Sequence, residues 1–118
     1  MDSITGLAYG RVVVGAMSLL SPSLTARIFL LDPKANPQLA YMGRMFGSRE
    51  IALGAITLAS SGEARRKLTQ LGVAVDGADA FTGIVSAASG SVPKKTGLLM
   101  AVAGLAAVVT GVSELQES

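Results

Sequence analysis

The sequence predicts an all-α fold: a four-transmembrane-helix bundle with a short interfacial helix after the first span. Three observations predict it. Half of the 118 residues are apolar and only 15% are charged, against about 25% charged in ordinary soluble domains, and the mean hydropathy is +0.53. Apolar stretches of membrane-crossing length recur along the chain, separated by breaks rich in Pro, Gly and charge. Three of these stretches carry ionisable residues near their middle: Arg11 in the first, Arg44, Arg49 and Glu50 in the second, Asp76 and Asp79 in the third. An unpaired charge at a bilayer centre costs about 2.5–3.5 kcal/mol. Six of them would cost roughly 15–20 kcal/mol, more than a small protein's whole stability. Three positive and three negative groups form a balanced set, expected to face one another inside the bundle.

The chain reads as a single integral membrane domain over residues 1–118. The first span covers about 4–20; Met1-Asp2-Ser3 has no basic run, so it is expected to be retained rather than cleaved. Ser21 is placed to cap, and Pro22 to open, a short helix whose Leu24, Ile28 and Leu31 share a face, as in a helix lying in the membrane interface. The second span, about 37–61, follows the break Asp32-Pro33-Lys34-Ala35-Asn36-Pro37, with Asn36 expected as its cap. After the polar link 63–67 comes the third span, about 68–88, the least obvious by hydropathy. The fourth, about 95–112, has no charge in its apolar part and is expected to face lipid most. Loop charge leaves orientation open, with the run Arg65-Arg66-Lys67 favouring cytoplasmic termini.

Helical spacing sharpens the charge pattern. Ala8, Arg11, Gly15 and Ser18 share one face of the first span. Gly43, Gly47, Glu50 and Gly54 do so in the second, and Gly72, Asp76, Asp79 and Gly83 in the third. Small residues above and below each charge let a neighbouring backbone come close. Gly97, Gly104 and Gly111 give the fourth span a stripe of its own. Residues 12–21 and 51–60 also align without gaps, a faint echo of a duplicated hairpin.

Several function classes fall away. There is no Cys and no His, which removes disulfides, thiol chemistry, His-ligated haem and most zinc sites. No cofactor and no metal site is expected. A net charge of +2, dispersed along the chain, does not suggest nucleic acid. The Met42/Met45/Phe46 group reads as packing or lipid-facing material, and the basic run 65–67 with Lys94 and Lys95 as headgroup anchors. The intramembrane charges have two readings: a salt-bridge network that fixes helix register, or a proton or substrate site. The exact balance of signs favours the first, because a proton carrier keeps a carboxylate without a fixed cationic partner.

The segments YGRVVVGAMSLLSP (9–22) and GRMFGSREIALGAITL (43–58) resemble the first two helices of the DoxX-like superfamily of small four-helix membrane proteins. Residues 36–54 and 75–79 resemble an actinobacterial branch of it. The resemblance implies a four-helix bundle in the cytoplasmic (inner) membrane and covers Arg11, Arg44, Arg49, Glu50, Asp76 and Asp79. It also implies association with quinone-linked or oxidative-stress complexes. The function expected is a non-catalytic accessory subunit whose partners are membrane lipids and other membrane-protein subunits. The alternatives are a carrier of a lipid, quinone or small amphiphile and, ranked last, an enzyme using Glu50, Asp76 or Asp79 on a membrane-embedded substrate.

Overall fold

The computed structural model describes residues 3–117 and contains five helices: α1 (Ser3–Leu20), α2 (Pro22–Ile28), α3 (Leu39–Ala59), α4 (Gly62–Ser89) and α5 (Lys94–Glu117). The four long helices run up-down-up-down. Gly15 of α1 lies against Gly47 of α3 and Ala8 against Gly54, so that pair is antiparallel. Gly83 of α4 lies against Gly97 of α5 and Ala80 against Gly104, an antiparallel pair of the same kind. Around the bundle the order is α1, α3, α4, α5, with extensive packing inside the α1/α3 and α4/α5 pairs and only short stretches of contact between them. α1 and α4 lie across the diagonal.

What is buried explains the pairing. The buried apolar side chains are Ala8, Ala26, Ala80, Ala101 and Pro22, and the other buried side chains are polar or charged. Bulky side chains such as Val13, Phe81, Leu98 and Val109 point outward. A water-soluble domain buries its Leu, Ile, Val and Phe; this chain does the reverse. Close backbone approach takes the place of a bulky core. A Cβ on Gly47 would sit 2.5 Å from the Gly15 carbonyl oxygen, and one on Gly83 would sit 2.9 Å from that of Gly97.

Three helices are long and apolar enough to cross a membrane: Ser3–Leu20, Gly62–Ser89 and Lys94–Gln116. The chain therefore has membrane-protein character. The expectation about which span is hardest to see is reversed. α4 qualifies, whereas α3 does not, because every membrane-length stretch of it contains Arg44, Arg49 and Glu50.

Helix boundaries differ from expectation at three places; in one, α5 runs on to Glu117, past the expected end at 112, because the polar tail after the apolar run continues the helix. α3 starts at Leu39, two residues later than expected, with Gln38 rather than Asn36 at the cap position. The Asp32 carboxylate accepts from the Lys34 and Ala35 amides, and the Asn36 side chain donates to the Asp32 carbonyl, so Asn36 closes a turn instead of capping. The polar link 63–67 is not a loop: α4 begins at Gly62 and runs for 28 residues, about 42 Å. Pro22 does open α2, although the Ser21 hydroxyl makes no capping bond. α2 ends with Leu30 in the left-handed region (φ 62), where the Leu31 amide reaches back to the Ala26 carbonyl. α4 ends the same way at Gly90 (φ 80), a residue suited to it.

Candidate functional site: a buried charge cluster

The site sits at mid-height, where Arg11, Glu50 and Asp76 each fall near the centre of their helices. Arg11 shares the buried face of α1 with Ala8, Gly15 and Ser18, the four residues expected there. From that face its guanidinium crosses the diagonal of the bundle. Nη1 donates to Asp76 Oδ1 (2.9 Å) and to Glu50 Oε2 (3.0 Å), and Nη2 donates to Asp76 Oδ2 (2.5 Å). Gly72 makes room for it, since a Cβ there would lie 2.8 Å from Arg11 Nη2.

Arg49 repeats the pattern at the α3/α4 edge. Nη1 and Nη2 fork onto Asp79 at 3.2 and 2.6 Å, and Nη2 also donates to Glu50 Oε1 (3.0 Å). The guanidinium lies 5.1 Å from the centre of the Phe46 ring, a cation–π contact. The Arg49 Nε–H is buried without a partner among the described residues. The five side chains thus form one string, Asp76–Arg11–Glu50–Arg49–Asp79, with Glu50 giving one oxygen to each guanidinium. Forked guanidinium–carboxylate pairs fix orientation as well as charge.

Arg44, expected in this network, stands outside it. It is exposed, and it makes no hydrogen bond or ion pair among the described residues. Helix geometry accounts for this: five residues separate it from Arg49, a rotation of about 140° and a rise of about 7.5 Å. The consequence is electrostatic. Two guanidiniums face three carboxylates, so the assembled cluster carries one surplus negative charge rather than the expected balance. Its two ends also differ in surroundings. The side chains of Arg11, Glu50 and Asp76 are 9%, 6% and 7% exposed, those of Arg49 and Asp79 38% each.

Glu50, Asp76 and Asp79 bring carboxylate oxygens within 4.8 Å of one another, close enough to share a metal ion. Each of their six oxygens already accepts a guanidinium hydrogen bond, and two cations lie among them. A divalent ion would have to displace these bonds. The pocket beside Arg11, lined in part by Thr57, Thr69 and Gly72, has a volume of about 20 Å³. That is room for one water and not for an amphiphile.

The glycines expected to aid packing all meet a neighbour. Gly15 and Gly47 face each other, Gly54 meets the Ala8 carbonyl, Gly43 meets Pro22 of α2, and Gly83 meets Gly97. In the fourth long helix Gly104 lies against the Asp76 carbonyl and Gly111 against Val73. Polar ties at the bundle ends were not foreseen. Arg65 bonds Thr5, and Arg66 Nη1 donates to the Leu115 carbonyl (3.0 Å), so two members of the presumed headgroup anchor join the start of α4 to α1 and α5. Thr96 Oγ1 donates to the Phe29 carbonyl (2.6 Å), fastening α5 to the end of α2. Thr96 is fully buried, a polar residue at the head of an apolar run, which was the available signal.

A family model described as a domain of unknown function, DUF4267, matches residues 8–114. The chain belongs to the DUF4267 family. The match reaches into all five helices of this DUF4267 chain and includes every residue of the cluster. No curated protein and no solved structure matches it. What this DUF4267 protein does is therefore argued from its own residues.

Proposed function

We propose that this chain is a small multi-pass protein of the cytoplasmic (inner) membrane, with α1, α3, α4 and α5 all crossing. Its role on this reading is that of a non-catalytic accessory subunit packed against a larger membrane assembly. The carrying observation is the distribution of side chains. Small and charged groups are turned inward and engaged with one another, while the bulky apolar groups of every long helix are turned outward. Interaction capacity is thus concentrated on the outer wall. α3 crosses on this reading because its charges are inward and paired, apart from Arg44. Arg44 lies within two turns of the start of α3, near enough for its side chain to reach the interface. The termini then share a side with Arg65, Arg66 and Lys67.

The resemblance to the DoxX-like superfamily fits the same role and makes quinone-linked or oxidative-stress complexes the first assemblies to search. The amphiphile-carrier alternative gains nothing from the one-water pocket beside Arg11. Affinity purification in mild detergent should recover a membrane partner in stoichiometric amount. Recovery as a lone monomer, both in detergent and after extraction in native lipid discs, would overturn the proposal.

A further inference from the structure

The surplus charge and the place where it surfaces belong together. Asp79 and Arg49 form the outer end of the cluster, on the flank where α3 and α4 touch only along a short stretch. Arg49 and Asp79 are partly exposed there, near the middle of their helices, and helical spacing puts the exposed Met45 and Ile56 on the Arg49 side of α3. A wall of this kind faces lipid chains, the solvent in which an exposed, net-negative charge group is least tolerated. The occupant that fits carries one positive charge, because that is the sign and size of the deficit. It arrives through the membrane, because the exposed carboxylate lies near the middle of its helix and not at an end of the bundle. Arg44 of the same chain cannot serve, being turned about 140° away.

We propose that the α3/α4 seam is the docking face for a transmembrane helix of another protein, one that carries a single Lys or Arg at the depth of Asp79. A basic side chain in such a helix has the same need for a counter-charge, so docking satisfies both. This rests on the reading that α3 crosses the membrane, and it specifies the chemistry of the partner.

The test uses the full chain in phosphatidylcholine vesicles, with a donor dye on Ser91→Cys, which is a unique cysteine in a chain that has none. The probes are acceptor-labelled synthetic leucine-rich helices of roughly 23 residues, with Lys, Leu or Glu at the centre. The Lys helix should associate about tenfold more tightly than the Leu helix, the size expected of one interhelical polar pairing, and the Glu helix no better than Leu. Asp79→Asn leaves Arg11, Arg49, Glu50 and Asp76 in balance and should abolish the preference. So should Thr82→Trp, which puts a bulky side chain at an exposed position one helical turn from Asp79 and leaves the charge count unchanged. Equal association of Lys and Leu helices with the parent would overturn the inference and would mean that the deficit is met inside the cluster, by a proton. A preference that survives both variants would overturn it as well. Ser48→Cys, at an exposed position midway along α3, probed with a water-soluble maleimide, separates the two levels. Labelling would sink the crossing of α3 and this inference together, whereas protection combined with equal association sinks the inference alone.

Discussion

Replacing Arg11 by Met keeps most of the side chain's stem and removes only the guanidinium. Arg11 supplies three of the six guanidinium–carboxylate bonds, both oxygens of Asp76 and one of Glu50. Without it Asp76 has no donor, and the cluster goes from one surplus negative charge to two. The side chains involved are no more than 9% exposed, so screening by water gives little relief. Breaking a buried pair by removing one partner costs about 3–5 kcal/mol. That is about a fifth or more of the roughly 5–15 kcal/mol that holds a small protein together. The double variant Arg11→Met/Asp76→Met returns the cluster to one surplus charge on Arg49, Glu50 and Asp79, and should recover more than half of the loss. Unfolding in detergent followed by circular dichroism, with accumulation in membranes as a second readout, measures the four corners of the cycle. If Arg11→Met unfolds like the parent, or if the double variant is as damaged as the sum of its parts, the central pairing contributes nothing and the reasoning fails.

Arg49→Met and Asp79→Asn, the two halves of one ion pair, should diverge in the same unfolding assay. The first raises the surplus to two negative charges and destabilises, by less than Arg11→Met because its site is more exposed; the second removes the surplus and stays at or above the parent. Gly47→Ala should cost about 1–3 kcal/mol by forcing α1 and α3 apart, whereas Gly10→Ala, whose Cβ would have nothing within 4 Å, should be neutral or gain up to about 1 kcal/mol; equal effects would refute the close-packing argument. Leu30→Gly relieves a left-handed backbone in a branched residue and should stabilise by about 1 kcal/mol, and a loss of stability would mean that the Leu30 side chain matters more than its backbone.

Much of the α1 surface was legible, because a face of Ala8, Arg11, Gly15 and Ser18 follows from helical spacing alone, and those are the residues buried. The partners were not. That Arg11 meets Asp76 across a diagonal depends on the order of helices around the bundle, which no local pattern encodes. Arg44 was assigned to the network by depth and sign. Its angular position, already implicit in the 3.6-residue repeat, would have excluded it and exposed the charge imbalance. The start of α3 is not legible because Asn36 has two competing uses, cap and turn, and Asp32 wins it for the turn. The run 63–67 looked like a link because it is charged, yet charge does not end a helix, and Gly62 begins one there.

Glu50 holding both guanidiniums has a bearing on the order in which the chain is made. The first half to emerge, α1 to α3, contains Arg11, Arg49 and Glu50, so both cations find a shared anion before anything else exists. The later half, α4 and α5, brings Asp76 and Asp79 with no basic residue at their depth. On the proposal that all four long helices cross, its entry into the bilayer leans on the earlier half as a waiting receptor. Expressed separately, residues 1–61 should insert without help, and residues 62–118 should accumulate only when the first fragment is supplied alongside; stable insertion of the second fragment alone would refute this dependence.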